Sequence, residues 1–292
     1  MLNKRLCSLV TVILACSLAA SCAAKKPLTG NLDKPKAEAA SETVYKAAPA
    51  EQQLSLVNKT ESGPTNSLPW EKDPNFLRSQ AKSATPILMA AYRTVLHDPL
   101  PGEEENVHLA ARMLAGTVVK PGKVFSQNAE LGPYVRARGY QKGPTYSGAT
   151  LITTVGGGVC KIASTLYNVT VLSNLRVVER HAHSMPVPYV PYGQDATVSY
   201  GVRDFKFKNT TDSPVLIWAQ GVDNVLYIGF YGTEHPPVVE WHHQTIKVIK
   251  AGAVYQYNPS LPPKTKKLVV EGMDGGVVES WVTVNKGDGR IE

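Results

Sequence analysis

The sequence predicts an α+β fold, with helices packed on an antiparallel β-sheet and a small all-β module at the C-terminus. Three observations predict it. In ENVHLAARMLAG, Val107, Ala110, Ala111 and Leu114 fall at i, i+3, i+4 and i+7, the spacing of one helix face. After Asn174 the period changes, and LRVVERHAHSMPVPYV, DATVSYG, DFKFKN, PVLIWAQG and VLYIGFYG read as β-rich runs separated by Gly, Pro, Asn and Asp. Pro236-Pro237 then marks a boundary, beyond which VVEWHHQTIKVI and KKLVVEGMDGGVVESWVTV carry turns of their own. Helices first and strands afterwards is the order of an α+β domain.

At the N-terminus, Lys4 and Arg5 precede an apolar run from Leu6 to Ala20. That run is short of the ~20 residues a membrane-spanning helix takes. Its flanking charge and small-residue ending predict a secretory signal over residues 1–21. The ending Ala19-Ala20-Ser21-Cys22 resembles the lipobox of bacterial lipoproteins, in which the cysteine becomes the acylated first residue of the mature chain. Cys22 is preferred because the apolar run stops there and Lys25-Lys26 follow. Cys16, after Leu14-Ala15, is the competing site, and an ordinary cleaved signal is the alternative. The expectation is an exported chain, held by lipid to a bacterial membrane and facing the exterior.

Residues 22–84 read as the tether of that anchor, rich in Lys, Glu, Ala, Ser, Pro and Asn and without a sustained period. Trp70 and Phe76 are the residues in it suited to dock on a domain. The domain itself spans residues 85–234. Thr85-Pro86 reads as a helix start, with Ile87, Ala91 and Val95 on one face. The helix around Val107 ends near Gly116, TVVKPGKVFS is a strand, a Pro-Gly turn and a second apolar stretch, and Asn128 to Ala149 reads as a loop. Three glycines, Gly156 to Gly158, approach a helix that begins close to Cys160, with Ile162, Leu166 and Val169 at helical spacing. Residues 235–292 form the small β-rich module, which is short for a core of its own.

The chain has four cysteines. Cys7 and Cys16 leave with the signal and Cys22 is consumed by lipid, so Cys160 stands alone in an oxidising compartment and no intrachain disulfide forms. The net charge of +7 falls to near +5 once Lys4 and Arg5 are removed. A mildly basic exported chain suits peptidoglycan or another anionic envelope polymer, or a membrane surface. It carries no dense basic run, and nucleic acid is not an expected partner.

A cysteine at a helix N-terminus meets unpaired N–H groups and the positive end of the helix dipole, which favour the thiolate. Gly157 and Gly158 would let a substrate carbonyl approach the backbone. A nucleophile needs a base and an orienting group. His181 and His183 follow, and at spacing two on a strand they share a face. Asp195 follows them, so the order is Cys160, His183, Asp195 with gaps of 23 and 12 residues. Asp204 is a second acid. Asn128 and Tyr146 are candidates to hold substrate, with Tyr134, Tyr140, Arg136 and Arg138 in the same loop. Each has a plainer reading: Cys160 as a packing residue, the histidines on an exposed strand face, Asp195 as a turn residue. His181 and His183 with His242 and His243 would make a permissive metal set with nothing to anchor it, so no metal or cofactor is expected.

The motifs PGKVFSQNAELGP, GYQKGPTYSG, GGGVCKIASTLYN, ERHAHSMPVPYVPYGQDATV and DFKFKN, in that order over roughly Asn106 to Gly232, resemble the VanW family. The family is named for an accessory gene of glycopeptide-resistance clusters, and the resemblance implies an envelope role. Where members often carry Gln after the motif cysteine, this chain has Lys161, which adds positive charge. The arrangement of cysteine helix and later strands is also similar to transglutaminase-like and papain-like folds. The tail GMDGGVVESWVTVNKGDG weakly resembles a five-glycine wall-binding module. Two functions remain open: an envelope protein that binds peptidoglycan or its peptides, and a cysteine-dependent amidase, peptidase or transpeptidase.

Overall fold

The structure is a computed structural model that describes residues 61–147, 150–269 and 272–285, all within one compact unit, Tyr45–Glu292. The signal, Cys22, the tether up to residue 60 and the Gly-Asp-Gly tail lie outside the described residues. The elements run β1 (Gly63–Pro64), α1 (Pro74–Ser83), β2 (Ile87–Val95), α2 (Glu103–Leu114), β3 (Thr117–Val119), β4 (Val124–Ser126) and α3 (Gln127–Leu131). They continue with β5 (Lys142–Ser147), β6 (Thr150–Val155), α4 (Cys160–Leu172), β7 (Arg176–Glu179) and β8 (Lys206–Lys208). The last are β9 (Val215–Val222), β10 (Val225–Gly232), β11 (Val238–Ile249) and β12 (Gly275–Asn285). The α+β class holds: helices pack on sheets whose pairings are all antiparallel.

The main sheet has the order β1-β2-β10-β9-β3 and is buried on both faces. Side chains alternate along β9 accordingly. Val215, Ile217 and Ala219 join the large core under α2 and α4, while Leu216 and Trp218 join a second cluster with Leu68, Trp70, Phe76 and Tyr231. A three-stranded sheet, β4-β8-β7, closes the large core from another side through Phe125 and Phe207, whose rings stack at 5.1 Å. The hairpins β5-β6 and β11-β12 stand apart as two-stranded sheets.

Several expectations need correction. The expected helix after Thr85 is the strand β2. Its two faces enter different cores, Tyr92 with the large one and Ala91 with the second, and a bulge interrupts the pairing beside Phe230 and Tyr231. Two-sided burial and a bulge erase the period-two signature by which a strand is recognised. Residues 61–84, assigned to the tether, instead carry β1 and α1. Asp73 caps α1 by accepting from the Asn75 N–H at 2.7 Å, with Pro74 in its first turn. Phe76 is buried, and Ala84, at φ 54°, ends the helix. The expected loop from Asn128 to Ala149 holds the end of α3, a 3-10 turn at Arg136–Arg138 and β5.

The C-terminal module is the hairpin β11-β12 and its long connection. Val284 and Asp274 are its buried residues among those described, so it has no core of its own. It leans on the domain instead, through Trp241 against Tyr167 and through the Tyr192 hydroxyl, which donates to the Asp274 carbonyl at 3.2 Å.

Candidate active site

Helix α4 begins at Cys160, and Val159 before it offers no side-chain cap, so the N–H groups of the first turn lack one. The helix is buried nearly all round, by Ile162, Ala163, Leu166 and Val169 but also by Ser164, Thr165 and Asn168. Cys160, Ser164 and Asn168 form one stripe at four-residue spacing. The segment Gln194 to Val198 runs antiparallel along it. Asn168 Nδ2 donates to the Gln194 carbonyl at 2.9 Å. Ser164 Oγ donates to the Ala196 carbonyl at 3.0 Å and accepts from the Ala196 N–H at 2.9 Å. Cys160 Sγ lies 3.3 Å from Thr197 Oγ1 and 3.7 Å from the Val198 carbonyl. One helix therefore carries the thiol and clamps the segment that holds Asp195.

Asp195 meets His183 twice: Oδ2 accepts from the His183 backbone N–H at 2.7 Å and lies 2.8 Å from ring Nδ1. The imidazole is 3 % exposed and the carboxyl 15 %. With Nδ1 held by the carboxylate, Nε2 is turned inward, buried, with no hydrogen-bond partner among the described residues. The group that it meets is the thiol of Cys160, a residue of intermediate exposure. Burial pushes the thiol up, but the His183 imidazole and the Thr197 hydroxyl outweigh it, and the thiol lies below its usual value. Burial pulls His183 down, but Asp195 and the thiolate outweigh that and raise it to about 9. The two shifts are one fact: the thiolate–imidazolium pair is favoured over the neutral pair. Burial raises Asp195, yet the His183 hydrogen bonds and the Arg180 charge hold it below its ordinary value. The Tyr146 ring meets the His183 ring edge to face at 5.7 Å and walls it on the β5-β6 side.

The structure thus brings together Cys160, His183, Asp195 and Tyr146. It does not bring His181, whose Nε2 pairs with Glu179 Oε1 at 3.0 Å. His181 and His183 share no strand face, because β7 ends at Glu179 and the chain onward is irregular. Pro186, Pro188 and Pro191 there remove the N–H groups a ladder needs. Asp204 is committed elsewhere: Oδ2 accepts from Ser126 Oγ at 2.5 Å and Oδ1 from the Asn128 N–H at 2.9 Å. Asn128 itself binds Tyr134 and the Arg203 carbonyl, at 3.0 and 2.8 Å. The glycines serve packing. A Cβ on Gly157 would lie 2.2 Å from the Gly143 backbone, and one on Gly158 would lie 2.9 Å from Glu103. Lys161 adds no charge at the thiol; it is fully buried and its ammonium donates to Glu104 at 2.8 Å and the Asn224 carbonyl at 2.9 Å. His242 pairs with Thr283 and His243 with Gln194, so neither joins His181 or His183. A depression of about 400 Å³ is lined by Asn128, Glu179, Tyr200, Arg203 and Lys206, and neither Thr197 nor the thiol is part of its lining.

Sequence reasoning missed Thr197, Ser164, Asn168 and Arg180. The four-residue spacing of Cys160, Ser164 and Asn168 was a readable signal, since a polar stripe on a buried helix needs partners. Arg180 gave none beyond lying between Glu179 and His181.

A family model described as "VanW like protein" matches residues 102–231, the stretch from the start of α2 to the end of β10. The protein YoaR of Bacillus subtilis (strain 168), described as uncharacterized, is 36% identical over 146 residues, 50% of this chain and 48% of its own length. The "Vancomycin B-type resistance protein VanW" of Enterococcus faecalis (strain ATCC 700802 / V583) is 29% identical over 159 residues, 52% of this chain and 58% of its own. The chain therefore spans about half the length of these relatives. No solved structure matches it. Cys160, His183, Asp195 and Tyr146 all lie inside the matched stretch, and over that stretch the chain is similar to the VanW family.

Proposed function

We propose that this chain is a cysteine-dependent acyl-transfer enzyme that cleaves or exchanges amide bonds in peptides of the cell envelope. The observation that carries the reading is the His183 ring fixed by Asp195 at 2.8 Å and set against the Cys160 thiol, so that each of the two groups shifts the other toward its charged form. The thiolate attacks the amide carbonyl carbon, and the N–H of Cys160 itself, at the start of α4, is the donor for the oxyanion that forms, since those of Lys161 and Ile162 already donate to the Gly158 and Val159 carbonyls. His183 Nε2 gives its proton to the departing amine as the C–N bond breaks, leaving a thioester on Cys160. Water resolves the thioester in hydrolysis, or a second amine does so in transpeptidation, and His183 takes up the proton released. Tyr146 keeps water and solvent ions off one side of the imidazole.

The envelope setting is supported by the signal-like N-terminus, the lipobox-like Cys22, the mild positive charge and a relative named for vancomycin resistance. On this reading the chain is anchored by lipid on Cys22 and meets peptidoglycan, while nucleic acid plays no part. Replacing Cys22 by Ala moves the protein out of the membrane fraction; unchanged fractionation counts against the anchor.

The chemistry is tested by incubating the purified protein with peptides released from peptidoglycan and measuring intact mass. An acyl adduct removed by hydroxylamine and absent from Cys160→Ala is expected. If iodoacetamide labels Cys160 only after unfolding, and no adduct forms, the enzyme reading is lost and peptide binding alone remains.

A further inference from the structure

Asp195 is held on its outer side by Arg180. The guanidinium donates through Nε to the Asp195 carbonyl at 2.7 Å and through NH2 to Oδ1 at 2.9 Å. This is a forked grip on one residue, by side chain and backbone together, and it leaves Oδ2 for His183. Arg180 is in turn laid over the Tyr167 ring at 5.0 Å, and Tyr167 meets Trp241 of β11 edge to face at 5.2 Å and 88°. The same hairpin touches the residue before Asp195. His243 Nε2 lies 2.6 Å from Gln194 Nε2, and His243 Nδ1 lies 2.9 Å from Ser280 Oγ of β12. A ring that donates from Nδ1 to Ser280 accepts at Nε2 from the Gln194 amide, whose oxygen accepts from the Tyr92 hydroxyl at 3.0 Å. Gly193 completes the contact, because a Cβ there would fall 2.3 Å from Ser280 Oγ.

We infer that Arg180 is a positioning residue for the catalytic carboxylate and that the C-terminal hairpin, through Trp241 and His243, is the outer wall that holds Arg180 and the Gly193–Asp195 segment in place. This rests on the cysteine-enzyme reading and adds to it. The hairpin has no core of its own, yet its aromatic and imidazole side chains are aimed at the two supports of Asp195. The family match ends at residue 231, so these residues lie beyond the domain by which the chain is classified. The hairpin β11-β12 is then part of the active site's support, and not merely a module attached to it.

The test follows iodoacetamide alkylation of Cys160 against pH in the full-length protein, with thermal melts alongside to show each variant folded. Arg180→Lys keeps the charge but cannot reproduce the fork. It is expected to raise the alkylation midpoint by about one pH unit, as Arg180→Met does. Trp241→Ala changes no charge and lies outside the thiol's surroundings, and a shift in the same direction of about half a unit is expected. Full rescue by Lys overturns the positioning role, since charge alone would then suffice. A Trp241→Ala midpoint equal to the parent's, with Arg180→Lys shifted, overturns the part given to the hairpin. His183→Ala separates the two levels: if it leaves the midpoint where it was, the triad fails and this inference with it. If it shifts while Arg180→Lys and Trp241→Ala do not, only the inference fails.

Discussion

At the residue scale, the site is defined by how two opposed effects are resolved on each group. Burial alone would neutralise Cys160, His183 and Asp195, yet each is shifted toward its charged form by its neighbours. A pH profile follows, with the sign set by those shifts. The thiolate forms above the lowered Cys160 value, so the acid limb of acylation lies below the ~8.5 of a free cysteine. The imidazolium persists up to about 9, so activity falls through that value as the proton needed by the leaving amine is lost. Asp195→Asn removes the charge that raises His183. It is expected to move the alkaline limb down and the acid limb up, narrowing the bell from both sides. A steady-state pH series on the peptide substrate checks this, and an Asp195→Asn profile that keeps both limbs would remove the carboxylate from the pair. His183→Ala is expected to cost roughly 10²–10⁴-fold in acylation rate.

Lys161 shows a different use of charge one residue from the thiol. Its ammonium is fully buried and paired with Glu104, and burial pulls it below its ordinary value. Lys161→Met strands the carboxylate and is expected to cost about 3–5 kcal/mol in urea unfolding. Adding Glu104→Gln should return much of that loss, because the uncompensated charge, not the missing attraction, is the larger part. A double variant as unstable as the single one contradicts this account.

At the element scale, the glycine run before α4 is a packing device. Gly157 and Gly143 cross backbone to backbone, and the Gly157 carbonyl accepts from Asn106 Nδ2 of α2 at 2.8 Å. Gly157→Ala is therefore expected to lower stability by roughly 1–3 kcal/mol or more, as overpacking against rigid backbone does. Gly252→Ala, with nothing within 4 Å, is the control and should leave the melting temperature unchanged. Helix α4 itself was legible, because its apolar spacing and the glycines before it point the same way. The strands β9 and β10 were legible from their apolar runs. β2 was not, because burial on both sides gave it residues spaced like a helix face. The triad was legible as an order of residue types but not as a geometry. The expected strand for both histidines is an irregular segment rich in proline, and tertiary contacts from Ser164 and Asn168 place Asp195. No local pattern announces a hydrogen bond made across 26 residues.

At the scale of the whole molecule, the main sheet needs cover on both faces, and the two covers come from different parts of the chain. α2 and α4 supply one. The other is the segment from Leu68 to Phe76, where Trp70 is fully buried and its indole N–H donates to the Tyr231 hydroxyl at 2.8 Å. Phe76 lies between Trp218 and Tyr231, with ring centroids 5.3 and 4.8 Å away. Gly229 leaves the space for it all, since a Cβ there would sit 3.2 Å from the indole. Burying a Trp or Phe of this kind is worth about 3–5 kcal/mol by its loss on truncation to Ala. The total stability of a domain is about 5–15 kcal/mol, so losing both residues removes a large part of it. The useful boundary of the folded unit is consequently ahead of Trp70, not at Thr85. A chain starting at Glu61 should give a single cooperative thermal transition and an alkylatable Cys160. A chain starting at Thr85 should lose the transition and expose Trp218, read as a red-shifted emission spectrum. Trp70→Ala in the longer chain should lie between them, shifting the midpoint down without abolishing it. Coincident melting curves for the two truncations would mean that the sheet's second face is dispensable and that its aromatic cover contributes nothing to folding.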